Sequence, residues 1–201
     1  KSYTNIAEGN ALEINWEDII HKYQLSYIMG NPPFVGASMM TKQQKEQAVS
    51  IYGKIKLSNS IDYVGAWYHK AAAYIDGTTI RVSFVSTNSI TQGEQVAPLW
   101  DKLFNRYGVH IDFAYRTFKW NSEASEKAAV HCVIIGFSQY INHNKRKLYL
   151  DDSRMILVEN INPYLLNAPD VLVSSRSKPI CDVPKMLLGN KPADGGNLIL
   201  S

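Results

Sequence analysis

Two cysteines in 201 residues, Cys132 and Cys181, are too few and too far apart to build a disulfide framework. Cys132 sits inside the apolar run AAVHCVIIGF, where a free thiol behaves as a small buried hydrophobe, so reduced thiols and a cytoplasmic location are expected. No run approaches the roughly 18 apolar residues of a membrane span, and the opening KSYTNIAEGN lacks a basic region followed by an apolar stretch. Charge of one sign is also scarce, since 21 basic residues against 18 acidic leave a net +3. Residues 1 to 140 carry 13 basic and 12 acidic side chains and residues 141 to 201 carry 8 and 6, so neither part is a strongly basic module. The histidines His21, His69, His110, His131 and His143 are scattered without metal-ligand spacing, and no metal site is expected. Internal repeats and low-complexity tracts are missing too.

What remains is an ordinary globular composition, 45% hydrophobic and 19% charged, which excludes collagen-like and wholly disordered chains. Strand signals recur with helical segments between them, the pattern of a parallel or mixed α/β sheet. Leu25 to Met29 is a short apolar strand closed by Gly30-Asn31-Pro32-Pro33, where neither proline can donate to a ladder. From Ser60 to Ile75 apolar residues recur at helical spacing, with Ser60 as the cap and Asp62 at the positive helix end. Thr79 to Ser86 reads as a strand, Glu94 to Tyr107 as a helix, and Val109 to Tyr115 and Ala128 to Phe137 as strands. The polar link TFKWNSEASEK between the last two is a candidate functional loop. Beyond Gln139, a Pro/Asn/Ser-rich composition predicts an irregular extension, with the division between two parts set at 1-141 and 142-201.

The strongest chemical signal is Asn31-Pro32-Pro33-Phe34 directly after a hydrophobic strand. The same letters make an ordinary strand-ending turn. Their placement matters, because open α/β sheets bind ligands at the carboxyl ends of strands. The exocyclic amino group of adenine is a poor nucleophile, its lone pair being delocalised into the ring. Two fixed acceptors, the Asn31 side-chain oxygen and the Pro32 carbonyl, would draw that nitrogen toward tetrahedral geometry and free the lone pair. Phe34 offers a face on which an extruded base can stack. A methyl group would then arrive in line from a sulfonium donor, with positioning and electrostatics supplying most of the catalysis.

IMGNPPFVG, DYVGAWYHKAAAYI, VSFVSTNSITQGEQV and FAYRTFKWNSEASEKAAVHCVIIGF follow one another in an order that resembles the MmeI-like bifunctional restriction-modification DNA adenine methyltransferases, over roughly residues 6 to 140. The resemblance implies a partial Rossmann-like, S-adenosylmethionine-dependent methyltransferase sheet retaining that fold's strands 4-5-7-6. It further implies methylation of a flipped adenine in double-stranded DNA, and a target-recognition region beginning near residue 142. It assigns catalysis to Asn31, Pro32, Pro33 and Phe34, and contact with the target base to Phe118, Lys119 and Trp120. Asn10, Ala11 and Leu12 match the block that meets the adenine of S-adenosylmethionine; Asn10 stands where relatives often have Asp, and a plain Gly-Asn turn accounts for it as well. Thr87-Asn88-Ser89 and Gln92-Gly93-Glu94 match a block that shapes the pocket wall, although Ser89 and Thr91 also suit a helix cap.

The glycine-rich loop that the family uses as its main cofactor-binding motif does not precede Asn31, and no nuclease signature of the acid-x-Lys type follows. With Lys1 in place of an initiating Met, a piece of a longer protein is expected. Such a piece should bind S-adenosylmethionine poorly, show little activity, and self-associate through the strand Leu25 to Met29, left as an apolar sheet edge. Two other readings stay open: a DNA-binding module without catalysis, and an amino-methyltransferase acting on cytosine, RNA or protein.

Overall fold

The computed structural model describes residues 6–53, 60–120, 130–140, 144–176, 178 and 180–183. Its elements in chain order are β1 (Tyr27–Gly30), α1 (Lys42–Tyr52), α2 (Gly65–Tyr74), β2 (Arg81–Thr87), α3 (Val96–Asn105), β3 (His110–Trp120), β4 (Val130–Ser138), β5 (Arg146–Tyr149) and β6 (Met155–Val158). The strands form one mixed sheet in the order β1-β2-β4-β3-β5-β6. β1 and β2 are parallel, as are β3 and β5, while β4 runs antiparallel to both β2 and β3. β1, β2, β3 and β5 therefore share one direction, and their carboxyl ends share one edge of the sheet.

The alternation along β2 sets the two faces. Val82, Phe84 and Ser86 are buried on one side, whereas Ser83, Val85 and Thr87 are only half-buried on the other. The buried side carries α2, whose Gly65 to His69, Ala71 and Ala72 are all buried, because its neighbours are apolar all round. Tyr68 is the centre of this core. Its ring stacks on Phe137 at 5.3 Å, meets Phe84 and Trp100 edge-on, and its hydroxyl lies 2.8 Å from the Ser86 hydroxyl. Burying an aromatic of this size contributes about 2–3 kcal/mol, and the satisfied hydroxyl avoids the penalty that would offset it. Gly65 is where three elements converge, since a Cβ there would stand 2.6 Å from Ile61 Cγ2 and 3.3 Å from Leu99.

Several expectations are corrected. α2 starts at Gly65, with Val64 rather than Ser60 at its N-cap and no side-chain cap. Asp62 does not serve the helix end; its carboxylate is engaged by Ala37 and Ser89. β3 continues to Trp120, so the first residues of the expected loop are strand, and residues 121–129 lie outside the described residues. The region after Gln139 is not simply irregular: Phe113, Ala114 and Tyr115 pair with Lys147, Leu148 and Tyr149, and β6 extends the sheet further. β1 is an edge strand among the described residues, with Tyr27 and Met29 exposed. No helix among the described residues is long and apolar enough to cross a membrane, and no group of three or more His, Cys, Asp or Glu there could hold a metal ion.

Candidate active site

Asn31 follows β1 at the carboxyl edge of the sheet, where the two prolines release the chain from the ladder. Pro32 is buried and Phe34 half-buried, so this turn is anchored, while Asn31 and Pro33 face solvent. The Asn31 side chain makes no hydrogen bond among the described residues, which leaves its oxygen open to a ligand.

The chain after Phe34 is held from two directions. The Val35 carbonyl accepts the Tyr63 N–H at 2.9 Å, and the Ala37 N–H donates to Asp62 Oδ1 at 2.9 Å. The second Asp62 oxygen accepts the Ser89 hydroxyl, and Ser89 Oγ lies 2.7 Å from Thr87 Oγ1 at the end of β2. Asp62 itself is fixed through its backbone: its N–H donates to Gln95 Oε1 at 3.0 Å, and its carbonyl accepts the Tyr52 hydroxyl at 3.2 Å. Ser89 therefore acts as a strut between β2 and Asp62 rather than as a helix cap. Sequence reasoning missed Asp62 in this role, because no spacing rule connects residues 25 apart.

Asn10 reaches the same end of the sheet through Tyr63. Its Oδ1 accepts the Leu12 N–H at 3.0 Å, an Asx turn, and its side chain also bonds Tyr63. The Tyr63 hydroxyl donates to Gln47 Oε1 at 2.6 Å. Burial raises the pKa of Tyr63, and the bond with Asn10 opposes that rise. Ala11 is exposed, but Leu12 belongs to the core and its carbonyl accepts Lys70 Nζ at 2.9 Å. Lys70 also reaches the Ile14 carbonyl and lies 5.4 Å from the Trp16 ring, so α2 docks the stretch from Leu12 to Trp16. Burial lowers the pKa of Lys70.

Phe118, Lys119 and Trp120 stand at the carboxyl end of β3, paired with Cys132, His131 and Val130. Cys132 is also the partner of Thr87, so Thr87, Cys132 and Phe118 form one row across the sheet. β2 and β4 separate β1 from β3, which sets the Asn31 turn and Phe118 roughly 14 Å apart along the carboxyl edge at about 4.8 Å per strand. Phe118 is half-buried, while Lys119 and Trp120 are exposed. The structure thus brings the three predicted groups to one edge, in two clusters. A separate groove of about 620 Å³ runs over the half-open face, lined by Ile28, Met29, Ser83, Phe113, Ile134 and Tyr149 among others, and does not include Asn31 or Phe34.

Comparison with known proteins identifies the family of the chain. Residues 1–150 match the family described as the MmeI DNA-methyltransferase domain, and residues 167–201 match the MmeI target recognition domain. DNA methyltransferase A of Bacillus subtilis (strain 168) is 43% identical over 195 residues, covering 96% of this chain and 22% of that protein. A solved structure of the Type IIL restriction-modification enzyme MmeI in complex with DNA matches with a TM-score of 0.89 at 47% identity, over 96% of this chain and 26% of that one. The chain spans about a quarter of the length of these relatives. With three quarters of its residues under one family description and this level of identity, the chain belongs to the MmeI DNA-methyltransferase family.

Proposed function

We propose that the chain is the distal part of the catalytic domain of a restriction-modification DNA methyltransferase, which methylates the exocyclic amino group of a flipped adenine in double-stranded DNA. Residues 1–141 form the C-terminal part of that domain, and residues 142–201 are a connector and the start of target recognition. The strand order β1-β2-β4-β3 supports reading these elements as strands 4-5-7-6 of a Rossmann-like methyltransferase sheet. The observation that carries the proposal is the exposed Asn31, next to the buried Pro32, on a turn pinned by Asp62 and Tyr63 at the carboxyl edge.

S-adenosylmethionine, when bound, supplies an electrophilic methyl group on a sulfonium. The residues present fit one margin of such a cofactor: Asn10 and Ala11 would flank it from a turn fixed by Tyr63, and the buried Leu12 anchors that turn. The Asn31 side-chain oxygen and the Pro32 carbonyl accept the two amino hydrogens of the target base, which localises the nitrogen lone pair. Phe34 holds the base by stacking from the β1 side, while Phe118, Lys119 and Trp120 contact it from the β3 side. A site fixed before the base arrives needs little reorganisation during reaction.

Asn31→Ala in the full-length enzyme should abolish methylation and leave DNA binding intact; unchanged methylation would rule the assignment out. Mass spectrometry of nucleosides from treated DNA should show N6-methyladenine, and a methylated cytosine would redirect the substrate assignment. The 201-residue chain alone should bind S-adenosylmethionine weakly, and micromolar binding by calorimetry would overturn that expectation.

A further inference from the structure

Phe118 does not stand alone at the carboxyl end of β3. Tyr115 pairs with Ile134 and Phe118 with Cys132, so three residues of β3 span two of β4. This bulge turns Phe118 onto the same face as Tyr115, which regular alternation would forbid. The two rings meet edge-on at 5.4 Å with an interplanar angle of 82°. Phe118 in turn lies 6.2 Å from Trp120, so the rings form a continuous row.

Tyr115 is held on three sides. Its backbone sits between β4 and β5, directly opposite Tyr149 in the β5 register. Its ring stacks on Tyr149 at 5.8 Å and 11°. Its hydroxyl donates to Asp152, in the turn between β5 and β6. That turn is itself ordered, with Asp151 Oδ1 accepting both the Ser153 N–H at 3.1 Å and the Ser153 hydroxyl at 2.8 Å, and the Asp151 carboxylate pairing with Arg154 at 3.5 Å.

A bulge, a stacked partner and a hydroxyl tether on one partly exposed tyrosine are more than a strand end requires. Exposed hydrogen bonds contribute little to stability, so their use here is geometric. We propose that Tyr115, tethered by Asp152, is a positioning residue that sets the orientation of the Phe118 ring against the target base. The inference rests on the base-facing assignment of Phe118 above and deepens it. The β5–β6 hairpin thereby acquires a role, since the turn that leads toward the recognition segment fixes one wall of the base mouth.

The test uses the full-length enzyme, with unmodified target DNA for the kinetics and, for base flipping, DNA carrying 2-aminopurine in place of the target adenine, whose fluorescence rises when the base leaves the stack. Tyr115→Phe keeps the ring and removes the tether, and Asp152→Ala removes the acceptor. Each should lower kcat about fivefold, the effect of one lost hydrogen bond, with the KM for DNA unchanged and the 2-aminopurine signal reduced. The double variant should be no worse than either single one, because both break the same bond. Parent-level kcat and fluorescence in both single variants, or effects that multiply in the double, would overturn the positioning role. Phe118→Ala separates the two layers: with Phe118→Ala impaired and both tether variants normal, only the positioning role fails. If Phe118→Ala itself runs at the parent rate, the base-facing assignment falls and the positioning role with it.

Discussion

One carboxylate oxygen of Asp62 accepts the backbone N–H of Ala37 at 2.9 Å, across 25 positions of sequence, while the other accepts the Ser89 hydroxyl. The turn bearing Asn31 is therefore braced against both β2 and the approach to α2. Asp62→Ala leaves the Ala37 N–H and the Ser89 hydroxyl without their acceptor. Hydrogen bonds to a charged group contribute about 1.5–3 kcal/mol each, so a loss of about 2 kcal/mol is expected after partial rehydration. In a chain of this size that lowers Tm by about 4–8 °C. Asp62→Asn, which retains one acceptor oxygen, should lose about half as much, and Asp62→Ala melting like the parent would remove Asp62 from the brace.

His69 is fully buried on α2, and neither ring nitrogen has a hydrogen-bond partner among the described residues. Tyr52 of α1 and Tyr107 pack against the ring, at 5.1 and 6.2 Å. Burial first, then Lys102 and Arg106 on the α3 side, press its pKa from 6.5 down to about 3. The folded state thus binds fewer protons than the unfolded one between these values, and stability is complete above the unfolded pKa. It declines as pH falls below 6.5 toward 3, by ~2 kcal/mol at about pH 5. Chemical denaturation across this range should show the slope, and His69→Phe, which keeps the edge contacts but cannot titrate, should reduce it by that amount.

On the half-open face, the Phe113 ring lies directly over Gly136. A Cβ at that glycine would stand 2.0 Å from Phe113 Cε1 and 2.3 Å from its Cδ1. Gly136→Ala must displace the ring, at a cost of about 1–3 kcal/mol by the usual measure of overpacking. Adding Phe113→Leu makes room, so the double variant should recover part of the loss made by Gly136→Ala. Additive losses in a thermal-melt cycle would mean that the two residues do not share the strain.

These relationships divide into those that the chain states locally and those that it does not. The strand-turn Tyr27 to Phe34, the core strands β2 and β4 and the apolar α2 are legible because each carries its own periodicity or its own prolines. α1 is too polar for periodicity, and only the capping box of Thr41 and Gln44, each side chain bonded to the other's backbone, marks its start. β5 buries only Leu148 and β6 only Val158, and the two strands exist through register with β3 and with each other, which no short window contains. Asn31, Phe118 and Asn10 could be chosen by resemblance, but what braces them depends on long sequence separations, 25 positions from Ala37 to Asp62 and 37 from Tyr115 to Asp152.

The outer edge of β1 bears on association. β1 pairs only with β2 among the described residues, so its other side presents unpaired backbone groups, with Tyr27 and Met29 exposed at 64% and 81%. Edges of this kind recruit a second strand unless blocked by charge or proline, and here the prolines begin only after Gly30. We expect light scattering of the 201-residue chain to report dimers or larger species as concentration rises, and Met29→Lys to shift it toward monomer. β6 is the competing edge, with Met155, Ile156 and Leu157 exposed. Leu157→Lys is therefore the informative control: if it, rather than Met29→Lys, restores the monomer, association runs through β6. A parent chain that stays monomeric at high concentration would show that neither edge is sticky, and that the twist or the flanking segments already protect β1.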